Sequence, residues 1–97
     1  MKIAFDVDET LIVQDWDTGM DSPNYEVINL YRWFQKQGHF MIVWSGGGED
    51  YARMWATKLG LNPDEVLDKE FRTARGIDIC FDDQDVKLAT INIQVKR

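Results

Sequence analysis

The sequence predicts an α/β fold of three layers, in which a mostly parallel sheet of about five strands has helices on both faces. Two observations support this class. Short continuous apolar runs, at residues 3–5 and 40–44, are typical of strands buried on both faces of a parallel sheet. Segments with helical periodicity separate such runs, and strands that alternate with helices form parallel sheets. The length of 97 residues predicts one domain, residues 1–97.

Two segments have the periodicity of amphipathic helices. Residues 11–22 lack a sustained period and predict a loop or small hairpin. Ser22 and Pro23 then suit the N-cap and the first position of a helix. Gly38 marks the end of this helix and Gly60 the end of the second. Each helix has an apolar face with helical spacing. In the first helix this face consists of Val27, Leu30, Tyr31 and Phe34, and in the second it consists of Tyr51, Met54, Trp55 and Leu59.

Three further strands are predicted after the second helix. Val66 and Leu67 indicate a short strand, and residues 77–81 form an apolar run that ends at two acidic residues. In the last segment, isoleucines at 91 and 93 alternate with polar residues, which is typical of a half-exposed strand at a sheet edge. Further predicted core residues are Trp33, Trp44 and Cys80.

Composition excludes several classes of partner. The formal net charge of −6 opposes strong binding to nucleic acid or to anionic membranes, because both need clustered Lys and Arg. A single cysteine allows no internal disulfide and suits a reducing compartment. Neither a signal peptide nor an apolar stretch of roughly 20 residues is evident. The expected location is therefore cytoplasmic, without membrane contact.

Polar residues follow three of the predicted strands, at the edge where parallel sheets bind ligands. Two neighbouring carboxylates repel each other unless a cation or a proton is present, and Mg²⁺ prefers oxygen ligands of this kind. Backbone N–H groups at the start of a helix bind anions. The residues concerned are Asp6 and Asp8, Ser45 and Gly46, and Asp82 and Asp83. A structural interpretation would fit them as well: a capped turn for the first pair, a flexible loop for the second and a solvated turn for the third.

Together, these pieces resemble the motifs of the haloacid dehalogenase superfamily over nearly the whole chain. The segment 6–10, DVDET, resembles the first motif, Ser45 the second, and the pair Asp82 and Asp83 the fourth. The resemblance implies a Rossmann-like core and a Mg²⁺-dependent phosphohydrolase. In such an enzyme Asp6 would attack phosphorus and form an aspartyl-phosphate.

The resemblance also implies a role for each residue of the site. Asp8 would protonate the leaving group and later take a proton from water. Asp83 would contact Mg²⁺ directly, with Asp82 partnering a lysine or a metal-bound water. The metal ligands would be Asp6, the backbone carbonyl of Asp8, Asp82 and Asp83, and the phosphate contacts would be Thr10, Ser45, Gly46 and Lys69.

The family lysine is assigned to Lys69, which follows a predicted strand at the ligand edge. Lys58 is the main alternative, but it lies about ten residues into a helix and so roughly 15 Å from the helix start. The residues Arg72, Arg75 and Lys87 stay open as further alternatives.

Larger family members carry a cap domain, and this sequence leaves no room for one. The intervals 11–39 and 46–81 are filled by a loop, helices and a short strand, so an open site is expected. An open site implies a phosphorylated substrate that is large, or a lid supplied by another subunit. Trp16 is either a lid or substrate contact, or a cover for the sheet edge.

Three other functions stay open. The apolar strand before Asp82 also resembles the phosphatase part of polynucleotide kinases, which implies a nucleic-acid 3′-phosphate. The net charge opposes this unless Lys69, Arg72 and Arg75 cluster. A receiver-type phosphoacceptor has its acidic pair after the first strand, so the motif order here favours the hydrolase. A catalytically silent binding protein is the third alternative.

Overall fold

A computed structural model describes residues 1–96, and its centre is a sheet of five strands. All neighbouring strands in this sheet are parallel, and their spatial order is β5-β4-β1-β6-β7. A separate antiparallel hairpin, β2-β3, follows β1. The elements are β1 Lys2–Asp6, β2 Ile12–Gln14, β3 Asp21–Pro23, α1 Tyr25–Lys36, β4 Phe40–Ser45, α2 Glu49–Lys58, β5 Glu65–Asp68, a 3₁₀ turn Arg72–Ala74, β6 Ile79–Asp82 and β7 Ile91–Gln94. The predicted α/β class and the five strands are confirmed.

The sheet buries both of its faces, as continuous apolar strands require. Alternate residues point to opposite sides, so Phe5 and Val43 lie on one face while Ala4 and Trp44 lie on the other. The first face packs against buried residues of both helices, which are Val27, Ile28, Tyr31, Ala52, Trp55 and Ala56. The second face packs against Ala74, Ile77 and the partly buried Val86, Leu88 and Ala89.

Helices on both faces, as predicted from the sequence, are not confirmed. Within residues 1–96, both α-helices belong to the core cluster on one face. The other face is covered by the single 3₁₀ turn at Arg72–Ala74 and by irregular chain around residues 86–89. The sheet residues on this face range from the small Ala4 and Cys80 to Trp44, and all three are buried.

The first helix begins later than predicted, because Ser22 and Pro23 belong to β3. They pair with Val13 and Ile12 of β2, which confirms the small hairpin. Proline lacks an N–H and is tolerated at the edges of sheets, so a two-stranded hairpin accepts it. Asn24 is the N-cap instead, and its side-chain amide donates to the carbonyl of Thr10 at 3.1 Å. This bond ties the start of α1 to the turn after β1.

The buried stripe of each helix is rotated from the predicted one. Ile28 is buried in α1, whereas Leu30 is exposed and Trp33 is 54% exposed. In α2, Ala52 is buried and Met54 is exposed. Predictions of core positions at Leu30, Trp33 and Met54 are therefore wrong, because spacing alone does not fix the rotation of a helix about its axis. The predictions for Trp44 and Cys80 are confirmed.

The last strand is at the sheet edge, as predicted, and Ile91 and Ile93 remain partly exposed there. Across residues 1–96, none of the helices combines the length and the apolar character that crossing a bilayer requires.

Candidate active site

Three adjacent strands end in polar residues at the same edge of the sheet. Asp6, Ser45 and Asp82 are the last residues of β1, β4 and β6, and β1 lies between the other two. Apolar runs drive these strands into the core, so their final residues are carried in with them. All three are buried, with Asp6 3% exposed and Asp82 fully covered. The sequence therefore places two carboxylates and a hydroxyl in a region of low dielectric.

Lys69 reaches these carboxylates from the neighbouring strand. It directly follows β5, and its backbone N–H donates to the carbonyl of Ser45 at 2.9 Å. Its Nζ donates to Asp6 Oδ1 at 3.1 Å and to Asp82 Oδ2 at 2.9 Å. Lys69 therefore lies at the sheet edge where Asp6, Ser45 and Asp82 end their strands.

The alternative basic residues make other contacts. Lys58 Nζ lies 4.9 Å from the centre of the Trp55 ring, in the last turn of α2. Arg72 pairs with Glu70, and Lys87 pairs with Asp85. Arg75 lines a separate surface cavity with Phe71 and Arg72.

The acidic residues outnumber the base that faces them. Oxygens of Asp6, Asp82 and Asp83 lie within 4.8 Å of one another. Burial, and then the charge of Asp82, raise the pKa of Asp6 to about 7. Burial and the hydrogen bond with Asp82 also raise the pKa of Asp83. An all-oxygen set with excess negative charge fits a hard divalent cation such as Mg²⁺.

The pKa of Lys69 reflects the same excess of negative charge. Burial lowers the pKa of the ammonium, but the hydrogen bond with Asp82 and the charge of Asp6 outweigh burial and raise it. Lys69 therefore stays charged, and one positive charge is shared between two buried carboxylates.

Asp82 and Asp83 have different surroundings. The carboxylate of Asp82 accepts from Lys69 through Oδ2 and from the N–H of Gln84 through Oδ1 at 3.0 Å. Asp83 is only half-buried and lines the open cavity. The predicted contact between Asp82 and Lys69 is present, and Asp83 is the residue better placed to receive a ligand from solvent.

Asp8 is brought to the site by a tight turn immediately after β1. The N–H groups of Leu11 and Ile12 donate to the carbonyl of Val7, and Glu9 adopts a positive φ of 60°. The Asp8 carboxylate accepts a hydrogen bond of 2.6 Å from the hydroxyl of Tyr51 in α2. Its carboxylate is thus separate from the three-oxygen cluster, as expected if only its backbone carbonyl faces a metal.

Sequence reasoning missed the polar role of Tyr51. It assigned Tyr51 to an apolar helix face, and the ring does pack against the core cluster. Burial, and then the hydrogen bond to Asp8, raise the pKa of the Tyr51 hydroxyl to about 12. The available signal was the residue type, because a half-buried tyrosine usually directs its hydroxyl to a polar partner.

The loop after β4 packs tightly around the Ser45 hydroxyl. Ser45 Oγ accepts from the N–H of Gly47 at 2.9 Å, which leaves the hydroxyl hydrogen available to another acceptor. A Cβ at Gly47 would lie 3.2 Å from the Tyr51 ring and 3.3 Å from Ser45 Oγ. A side chain at position 47 would therefore crowd the Tyr51 ring and the Ser45 hydroxyl.

The N-terminus of α2 is already occupied by a carboxylate of the protein. Asp68 Oδ1 accepts from the N–H of Glu49 at 2.5 Å, and it replaces the missing side-chain cap. The N–H of Glu49 is therefore not available to an anion at the site. The remaining candidate donors are Ser45, Gly46 and Lys69.

These residues surround an open cavity of about 530 Å³. Asp82 is hydrogen-bonded to Lys69 and does not itself line the cavity. Thr10, predicted as a phosphate contact, is fully buried and does not line the cavity, so the structure does not bring it to the site. The predicted site residues that do line the cavity are Asp6, Asp8, Ser45, Gly46, Lys69 and Asp83.

Comparison with models of known protein families, with curated protein sequences and with solved structures finds no significant match to this chain.

Proposed function

We propose that the protein is a Mg²⁺-dependent phosphohydrolase in which Asp6 is the nucleophile. One observation carries the proposal: a buried carboxylate at a strand end faces an open cavity and is bonded to Lys69, with Asp8, Ser45 and Asp83 around it. The order of the motifs, which resembles the haloacid dehalogenase superfamily, supports the same reaction.

Asp6 and Asp8 divide the chemistry between them. A carboxylate oxygen of Asp6 forms a bond to phosphorus while the bond to the leaving oxygen breaks, and Asp8 gives that oxygen a proton. Water then attacks the aspartyl-phosphate, its proton passes to Asp8, and phosphate leaves Asp6 free. The Tyr51 hydroxyl fixes the direction of the Asp8 carboxylate for both transfers.

The remaining residues bind charge on the transferring group. Ser45 and Gly46 line the cavity and would supply a hydroxyl and a backbone N–H, and Lys69, which also lines it, would supply positive charge. Donors fixed by folding need no rearrangement as charge moves in the reaction. Mg²⁺, held by Asp6, the Asp8 carbonyl, Asp83 and the neighbouring Asp82, would supply charge neutralisation between two anions.

We also propose a fold class and a cellular location. We assign the domain to the Rossmann-like class, with the second helical layer reduced to a 3₁₀ turn and no cap domain. The segments between β1 and β4 and between β4 and β6 hold a hairpin, the two helices, β5 and that turn. The buried thiol of Cys80 suits a reducing cytoplasm.

A nucleic-acid substrate is not favoured. Lys69, Arg72 and Arg75 were grouped in the sequence as a potential basic cluster. Lys69 is hydrogen-bonded to two carboxylates inside the site and Arg72 is paired with Glu70, so these two residues do not form a basic surface with Arg75 for a polyanion.

Magnesium dependence tests the proposed function. Wild-type protein is expected to release phosphate from para-nitrophenyl phosphate only with Mg²⁺, and EDTA should abolish the release. Asp83 is the most accessible of the three clustered carboxylates, Asp6, Asp82 and Asp83. Asp83→Asn should therefore raise the half-saturating Mg²⁺ concentration by about tenfold or more. Asp85→Asn is the matched control, because its carboxylate pairs with the exposed Lys87 outside the cavity. Equal release with and without EDTA would refute the metal requirement.

Tyr51→Phe tests the positioning of Asp8. Alkoxide leaving groups need a proton from Asp8, whereas para-nitrophenolate leaves without one. The variant is therefore expected to lose about tenfold in kcat/KM, which reports the steps up to release of the alcohol, for ethyl phosphate and less than twofold in kcat/KM for para-nitrophenyl phosphate. Tyr25→Phe, at an exposed position of α1, is the control. Equal losses on both substrates would show a structural role for Tyr51 and contradict this assignment.

A further inference from the structure

An exposed tryptophan stands at the cavity that contains Asp6 and Lys69. Trp16 is 83% exposed. All the other described residues that line this cavity are polar, charged or glycine. Exposing so large a ring gives up the stability that burial would provide. The fold therefore gains little from the ring in this position, whereas a ligand in the cavity can contact it.

The turn that carries Trp16 is held by its own hydrogen bonds. The Asp15 side chain accepts the N–H groups of Asp17 at 2.9 Å and Thr18 at 3.4 Å. The N–H of Asp15 donates to the Met20 carbonyl at 2.9 Å, which closes the hairpin. The bond from Asp17 is the main reason that the pKa of Asp15 is lowered. The backbone beside the ring is thus fixed before any ligand arrives.

The hairpin is also tied to the motif that contains the nucleophile. The N–H of Gln14 donates to a carboxylate oxygen of Glu9 at 3.0 Å, and Glu9 directly follows Asp8. Both Gln14 and Glu9 line the same cavity as Trp16. This bond links the position of the ring to the position of the proposed acid and base.

The charge of the cavity wall limits what can lie against the ring. Four carboxylates line the cavity, from Asp6, Asp8, Glu9 and Asp83, against the single ammonium of Lys69. That ammonium is already bonded to Asp6 and to the buried Asp82. One phosphoryl group could be bound there by Lys69 and by the proposed Mg²⁺. A second anionic group on the substrate would face only carboxylates.

We propose that Trp16 is a stacking platform for the leaving group, and that the substrate is a phosphate monoester of a planar, uncharged alcohol. An aryl alcohol or a nucleoside has this chemistry. The inference rests on the proposed phosphohydrolase function and names the substrate class of that site. Stacking on an aromatic side chain changes affinity by about tenfold in typical cases.

A binding experiment tests the platform without turnover. Asp6→Asn protein is titrated with phenyl phosphate and with butyl phosphate in the presence of Mg²⁺, by calorimetry. Phenyl phosphate is expected to bind about tenfold more tightly, and adding Trp16→Ala should remove the difference. Adding Phe71→Ala should leave it, because Phe71 is equally exposed at 83% but lines a different cavity. Equal affinities, no binding of either ligand, or an equal effect of Phe71→Ala would overturn the proposal.

Kinetics separate this inference from the proposed function. With Asp6 intact, Trp16→Ala should raise KM for phenyl phosphate about tenfold and change kcat less than twofold. A binding preference without turnover would refute the hydrolase and leave the platform, whereas turnover without the preference would refute the platform alone.

Two nucleotide ligands then test the uncharged leaving group. Adenosine monophosphate is expected to bind more tightly than an oligonucleotide with a 3′-phosphate, because the oligonucleotide brings further anionic groups to the acidic wall. Tighter binding of the oligonucleotide, weakened by Phe71→Ala, would overturn this part of the proposal.

Discussion

Asp6→Asn is expected to lower phosphate release by about a thousandfold or more, with the fold retained. Asparagine matches aspartate in shape, but its amide does not form the aspartyl-phosphate on which the reaction depends. The measurement is the rate of phosphate release from para-nitrophenyl phosphate with saturating Mg²⁺, together with a circular dichroism spectrum. Substantial residual turnover with an unchanged fold would contradict the assignment of the nucleophile.

The same substitution is expected to stabilise the metal-free protein at neutral pH and above. The pKa of Asp6 is about 7 in the folded state against 3.8 for an ordinary carboxyl. Between these values the folded state keeps a proton that the unfolded state has lost, so the free energy of unfolding falls as pH rises. The asparagine side chain would not ionise, and the gain over wild type should reach the order of a few kcal/mol above about pH 7.

Urea unfolding in EDTA at about pH 4 and about pH 8 measures this effect. The gain should be large at the higher pH and small at the lower one, where Asp6 is protonated in the folded state and nearly half protonated in the unfolded state. Asp85→Asn, at an exposed ion pair, should change stability by less than about 1 kcal/mol at either pH. A variant no more stable than wild type at about pH 8 would contradict the raised pKa of Asp6.

Lys69→Met has the second large expected effect. The substitution nearly keeps the length of the side chain and removes the one ammonium bonded to Asp6 and Asp82. Phosphate release should fall by roughly a hundredfold to a thousandfold, since a fixed charge at the transferring group is lost. Two carboxylates would also lose their buried partner, and the metal-free protein should be destabilised by about 3 kcal/mol.

Lys58→Met is the matched control, because Lys58 is the alternative family lysine and lies over the Trp55 ring. Its stability should change by no more than about 1 kcal/mol and its activity should be unchanged. The destabilisation by Lys69→Met should be greater at about pH 8 than at about pH 5, because Asp6 is charged only at the higher pH. Loss of activity in Lys58→Met with normal activity in Lys69→Met would reverse the assignment.

The sheet edge that carries the candidate site was predictable because the strands were. Continuous apolar runs indicate buried strands without any knowledge of their partners. Parallel strands align their carboxyl ends, so Asp6, Ser45 and Asp82 had to meet at one edge once the sheet formed. The position of β7 at the sheet edge was equally predictable, although both of its isoleucines are exposed and the polar Asn92 is the more buried residue.

Contacts between distant segments were not predictable in this way. Ser22 and Pro23 have the local signature of a helix start, but pairing with β2 draws them into a hairpin. Helical spacing identified α1 and α2 without giving their rotation or the face of the sheet that they cover. Both helices therefore lie on one face, and Trp33 points outward.

The sequence by itself determined the strands, their common edge and the identity of the acidic and hydroxyl groups there, because these follow from local hydrophobicity and from the geometry of parallel sheets. Only the tertiary structure showed that Lys69, which the sequence already favoured, reaches both Asp6 and Asp82, and only it joined Tyr51 to Asp8. It also brought Asp68 to the start of α2 and left Trp16 exposed at the cavity. Those outcomes depend on side-chain reach between segments far apart in the chain, and local patterns carry no information about such distances.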